Sequence, residues 1–287
     1  MGSVFQATSG YFPSPQGDLY GTLYLPDSLS CDTGVVLVEP FGEEKKCAYR
    51  MLVRLARVLA GHGVPVLRFD LAGTGDSPGE HGEMDFAAWG EGVRAAADRI
   101  LALPGIEAWV PIGARFGALP TLQAVAALPP RAVVLLEPVL NGPEFLRDLE
   151  RRQKIKDMMS GQRNDSGPDA ATRWSAGETV DFGGFPVSAE LAQQLADVDL
   201  CAQLADLPTT CGLQIVRVSG SKKLPPAWQP LTEAAASREL GEVTVVQDKP
   251  FWGQLEYYES DAVIDVVVPF LTRALHLPAA QTGESVA

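Results

Sequence analysis

Histidine, cysteine and clustered positive charge are all scarce in this chain, and each scarcity removes a class of function. Its 287 residues hold three histidines (His62, His81 and His276) and four cysteines (Cys31, Cys47, Cys201 and Cys211). The cysteines are spread out with no C-x-x-C pair. Free thiols in a reducing compartment are therefore expected, with no disulfide, no metal and no cofactor. Lys and Arg number 23 against 36 Asp and Glu, a formal net charge of −13. Neutralising phosphates takes clustered cations, so nucleic acid is not an expected partner. The mildly basic run from Arg147 to Arg163 is interleaved with acids and reads as a solvated helix face. No apolar run reaches the ~18–20 residues that cross a bilayer, and no basic segment followed by a hydrophobic one opens the chain. A cytoplasmic protein without a membrane span is expected. There is no internal repeat.

Hydrophobic residues make up 46% of the chain, enough for a large core. Phe5 to Phe12 and Leu19 to Leu25, joined by Pro15-Gln16-Gly17-Asp18, read as an antiparallel hairpin. Strands are then expected at Gly34–Glu39, Val64–Phe69, Ala108–Ile112 and Ala132–Leu136. Helices are expected between them at Tyr49–Ala60, Phe86–Leu103 and Phe116–Ala127. Strands alternating with helices imply parallel pairing through right-handed crossovers. The alternation breaks after Pro138. From Pro143 to Ala205 the chain is charged, helix-prone and glycine-punctuated, with no strong strand. It resumes with strand Leu213–Ser219, helix Leu231–Glu239, strand Val243–Gln247 and a final helix Ser260–Leu275. The expected organisation is a core of residues 1–142 and 206–277, an insertion of 143–205 placed as a lid, and a flexible tail of 278–287.

Gly113-Ala114-Arg115-Phe116-Gly117 carries the most information. A short apolar strand, a sharp turn flanked by glycines and a helix form the G-x-S-x-G context of a nucleophile elbow, yet Arg115 stands where the serine belongs. Arginine stays protonated and is no nucleophile in this role. Asp70-Leu-Ala-Gly-Thr-Gly-Asp-Ser77 resembles the D-x-x-G-x-G-x-S turn after the fourth strand of serine-aminopeptidase-like α/β-hydrolases. The chain resembles more closely the exosortase A system-associated hydrolase 2 type of bacterial exopolysaccharide loci. The matching pieces are Pro40-Phe-Gly-Glu-Glu-Lys45, the arginine-bearing elbow, Glu137-Pro-Val-Leu-Asn-Gly-Pro-Glu-Phe-Leu146 and Pro250-Phe-Trp-Gly-Gln254. The resemblance implies an α/β-hydrolase fold. Its mostly parallel eight-stranded sheet would carry helices on both faces and a helical lid after the sixth strand.

The resemblance also places a catalytic acid after the seventh strand and a histidine in the loop after the last. Here those positions hold Lys223 and the segment Asp248-Lys-Pro-Phe-Trp-Gly-Gln254, which has no histidine. All three triad positions are vacant. Ser77 reads as a shaper of its own turn, and Cys47 as a buried thiol near the start of a helix. The loop with Phe41, Gly42, Glu43 and Glu44 should face the elbow, with a backbone N–H of Phe41 or Gly42 at the oxyanion position. Arg115 is expected to pair with Glu43 or Glu44. That pair either locks a retired site or belongs to an anion site built from Arg115, the elbow helix and the loop amides. A third course is unorthodox catalysis by a set such as Glu44, Lys223 and Tyr257. Phe116, Trp252 and Tyr257 are further candidates for the pocket wall, with Phe145, Met158 or Phe185 from the lid. Three functions follow. The protein binds a small molecule, carboxylate- or acyl-bearing, without hydrolysing it. Alternatively it is an enzyme with a rearranged site (esterase- or thioesterase-like, or a cyclase or lyase), or an interaction protein. A homodimer is left open.

Overall fold

The computed structural model describes residues 4–83, 85–159, 167–253 and 261–278. Within them the chain forms ten strands: β1 (Phe5–Phe12), β2 (Leu19–Pro26), β3 (Thr33–Val38), β4 (Val66–Phe69), β5 (Ala108–Ala114), β6 (Ala132–Leu136), β7 (Val180–Asp181), β8 (Pro186–Val187), β9 (Gly212–Val218) and β10 (Gly241–Val246). Nine helices accompany them: α1 (Glu43–Gly61), α2 (Phe86–Leu101), α3 (Ala118–Ala127), α4 (Gly142–Met159), α5 (Ala170–Ser175), α6 (Ala189–Ala196), α7 (Leu200–Ala205), α8 (Gln229–Ala236) and α9 (Ile264–Ala274). Eight strands make one sheet in the order β1-β2-β4-β3-β5-β6-β9-β10. The pairs β1–β2 and β2–β4 are antiparallel and the rest are parallel.

Side-chain alternation along the strands feeds two apolar layers. Val36 and Val38 of β3 face one way, into a layer with Trp89 of α2, Leu119 of α3 and Leu231 of α8. Val35 and Leu37 face the other way, against Leu52 and Leu55 of α1 and Phe270 of α9. Each such side chain, fully removed from water, contributes about 1.5–3 kcal/mol. Among the described residues no helix is long and apolar enough to cross a membrane.

Four expectations need correction. The first helix begins at Glu43 rather than Tyr49. Residues 43–46 are all charged, so they add nothing to an apolar period, while Gly42 (φ 64°) makes the turn that starts the helix. Glu43 and Glu44 are thus the first turn of α1, where acids suit the helix dipole, and not part of a loop. The insertion is not strandless, because β7 and β8 pair as a two-residue antiparallel hairpin. Met158, expected in the pocket wall, is 76% exposed near the end of α4. Finally, the basic stretch of α4 is not wholly solvated, as Arg152 and Lys156 turn inward. The last helix runs from Ile264, and Ser260 lies outside the described residues, as do residues 279–287 of the tail.

Candidate functional site

At the C-terminal end of β5, Arg115 takes a φ of 53° and opens a short 3-10 turn, Arg115–Gly117, that runs into α3. A left-handed backbone costs a non-glycine residue about 1–2 kcal/mol and persists where its surroundings fix it. The flanking glycines supply that fixing. A Cβ on Gly113 would lie 2.8 Å from the Ala118 Cα, and one on Gly117 would lie 2.5 Å from the Glu39 carbonyl oxygen. Backbone approaches backbone on both sides of Arg115.

The guanidinium points back into the fold. Arg115 Nε donates to both Glu44 oxygens at 3.1 Å and Nη2 donates to Oε1 at 3.0 Å, while Nη1 donates to the Glu137 carbonyl at 3.0 Å. Glu44 is 3% exposed and receives a second cation, Arg152 Nη2, at 2.7 Å. Glu44 sits on the stripe of α1 that buries Ala48, Met51 and Leu52, which is why a carboxylate is carried inside. Glu43 turns the other way and pairs with Lys156. Of the two expected partners, Glu44 holds Arg115.

Beside this pair lies a cavity of about 230 Å³, with Arg115, Glu137, Leu149, Arg152, Arg217 and Trp228 in its wall. No serine, threonine, cysteine or histidine is among the described residues lining it. Glu137 also has a positive φ, 43°, and its Oε2 accepts a hydrogen bond from the Val218 N–H. Burial pushes the Glu137 carboxyl above its ordinary value, against the pull of that hydrogen bond and of Arg115 and Arg217. The Arg217 guanidinium lies over the Trp228 ring, 5.3 Å from its centroid. Across the Glu44–Arg152 pair, Phe41, Phe145 and Phe185 leave only a small space of about 30 Å³. Phe41, Phe116 and Phe145 form a cluster with centroids 4.6–5.5 Å apart, and Phe185 closes over Phe41 and Gly42.

The remaining sequence-predicted residues sit apart. Lys223 is exposed, with its backbone N–H bonded to Ser221 Oγ. From the same loop it is Pro225, Ala227 and Trp228 that reach the cavity. Trp252 packs on Phe251, ring centroids 4.4 Å apart, against the α1–α9 layer. Tyr257 lies outside the described residues. His62 ends α1, about 27 Å from Glu44 by helix rise, and His276 is exposed. Three site residues escaped the sequence reading: Arg152, Arg217 and Glu137. Arg152 had a signal, since Phe145, Leu149, Arg152 and Lys156 recur at helical spacing along α4. Arg217 is the one charged residue of β9, which otherwise carries only Gln214 as a polar side chain.

The overall fold recurs in solved structures. Est1E from Butyrivibrio proteoclasticus, solved with ferulic acid, is 16% identical and matches 93% of this chain and 99% of its own at a TM-score of 0.67. A proline iminopeptidase from Mycobacterium smegmatis is 14% identical over 93% and 98%, at 0.62. An α/β serine hydrolase without a lid from Xanthomonas campestris is 18% identical over 96% and 97%, at 0.53. The chain has the α/β-hydrolase fold. No family model and no curated protein sequence matches it. In this α/β-hydrolase fold the turn after β4 is tied down by buried charge. Glu39 pairs with Arg68 and Lys45, and Lys45 also bonds Asp70. Burial alone would lower the Lys45 ammonium, but the two carboxylates outweigh it and raise it. Ser77 Oγ donates to the Asp70 carbonyl at 2.6 Å and accepts from the Tyr20 N–H, so it shapes its turn.

Proposed function

We propose that this α/β-hydrolase-fold protein binds a small molecule in the cavity beside its elbow and does not cleave ester or amide bonds. The observation that carries the proposal is Arg115, which occupies the nucleophile position with its guanidinium committed to a buried carboxylate. A guanidinium offers no lone pair to a carbonyl carbon. The insertion acts as the lid, since Phe145, Leu149 and Arg152 of α4 reach the cavity wall from it. The motifs shared with the exosortase-associated type support a place as an accessory protein in a bacterial exopolysaccharide or secondary pathway. A p-nitrophenyl ester should turn over at the background rate, and a fluorophosphonate probe should label no serine. Arg115→Ser should recreate the elbow motif without restoring hydrolysis, because no histidine is supplied to activate the hydroxyl. Stoichiometric labelling of a serine that disappears on heat denaturation would overturn the proposal.

A rearranged catalytic site is the second reading, and Glu137 is what favours it. Its carboxyl is half-buried in the cavity wall on a left-handed backbone and its proton affinity is raised, as in general acids. Turnover of any ester or thioester that Glu137→Gln abolishes would establish this reading in place of the first.

A further inference from the structure

The charges in the cavity wall are unequally committed. Arg115 is taken up by Glu44 and the Glu137 carbonyl, and Arg152 by Glu44. Asp148 pairs with Arg151 at 3.0 Å, and the Glu137 carboxylate accepts from Val218. Arg217 differs from all of these. Its Nε is buried with no hydrogen-bond partner among the described residues. Its guanidinium lies over the Trp228 face, within electrostatic reach of the Glu137 carboxyl but in no ion pair with it. That Nε is shut off from the cavity space, so a bound acceptor would meet the guanidinium at its Nη groups, which are not shut off and show no hydrogen bond among the described residues.

We infer that Arg217, held over Trp228, is the residue that binds the ligand, and that the ligand is a compact monocarboxylate with an apolar body. This rests on the reading above that the cavity holds a small molecule. A carboxylate matches the guanidinium fork through two parallel hydrogen bonds. A dianion such as phosphate is disfavoured, because Glu44, Glu137, Glu144 and Asp148 also line the cavity and only one cation there is uncommitted. Pro138, Val139, Leu140, Leu149 and Pro225 give the body an apolar wall. The volume of about 230 Å³ falls below the roughly 300–1,000 Å³ of sites for drug-sized ligands, so the body is small.

Isothermal titration of the full chain with benzoate, benzamide and inorganic phosphate tests the inference. Benzoate should bind, with benzamide and phosphate weaker by roughly tenfold or more, the loss expected when a charge-assisted pair is removed. Arg217→Gln should reduce benzoate binding to the benzamide level, and Arg217→Lys should fall between, with melts of the unliganded variants confirming that they fold. Should Arg217→Gln fail to fold, the benzoate–benzamide comparison on the unaltered protein still decides. Equal binding of the two overturns the inference, as does phosphate binding in preference to benzoate, or no benzoate binding at all. Benzoate binding that survives Arg217→Gln overturns the role of Arg217 but leaves ligand binding in the cavity standing. The ester-turnover assay bears on the underlying reading separately.

Discussion

Glu44 serves two guanidinium groups from inside the fold, so the two halves of the pair are not equivalent on removal. Arg115→Ala leaves Glu44 with Arg152, and its cost should sit near the lower end of the roughly 3–5 kcal/mol of a broken buried pair. Glu44→Gln leaves two cations without their anion and should cost more. Urea melts of the two variants check that order, and a larger loss for Arg115→Ala would mean Arg152 does not share the carboxylate. Arg115→Gly should be more stable than Arg115→Ala by about 1–2 kcal/mol, because glycine relieves the left-handed backbone. Glu137 gives a pH signature. Its folded carboxyl is held above the ordinary value mainly by burial, so there is a window in which the folded chain keeps a proton that the unfolded chain releases. Stability is full below that window and falls as pH rises through it. Glu137→Gln keeps an acceptor for the Val218 N–H but has no proton to lose. Its urea midpoint should therefore lack the fall that Glu137 contributes across the window and exceed that of the unaltered protein above it. Parallel pH profiles of the two would mean that Glu137 does not titrate in the folded cavity.

Between residues and the whole, the elements succeed or fail in the sequence according to what marks their ends. The strands β1 and β6 and the start of α2 stand where the apolar pattern put them, because turn residues bound them. The start of α1 was hidden since its first turn is charged and its capping glycine carries no side-chain signal. The inward face of α4 was hidden because its charges point both ways, and only their partners in α1 show which side is buried. The elbow was legible as a glycine-framed turn. Its glycines are required by contact rather than by dihedral angle, since Gly117 has an ordinary helical φ of −56°. Gly117→Ala should therefore cost about 1–3 kcal/mol through overpacking against the ends of β3, the Val38 and Glu39 carbonyls, with the helix itself unharmed. Circular dichroism and chemical melts would test this, and an unchanged midpoint would show that the elbow and β3 are less closely packed.

At the scale of the molecule, the fold is written in local periodicity and the site is not. Arg115, Glu44, Glu137, Arg152 and Arg217 come from five different elements and meet only because the sheet brings the ends of β5, β6 and β9 together under α1 and α4. Arg217 has no local pattern beyond being the one charge in a mostly apolar strand, so its place in the cavity depends on the β6–β9 pairing across the insertion. That pairing also supplies a probe of how the molecule opens. Cys211, immediately before β9, is 3% exposed, and burial pushes its thiol up to about 11 against the nearby Arg238. At neutral pH only about one thiol in ten thousand would be ionised, and the thiolate is the reactive form. Cys31 and Cys201 are also raised by burial but are less enclosed. Pulsed alkylation through a urea series, with the peptides mapped by mass spectrometry, should label Cys31 and Cys201 before the transition. Cys211 should be labelled only in step with global unfolding, because exposing it means breaking the β6–β9 ladder that joins the two halves of the core. Rapid labelling of Cys211 without urea would instead show that the β9–β10 edge opens by itself, and that the wall carrying Arg217 and Trp228 moves independently of the elbow.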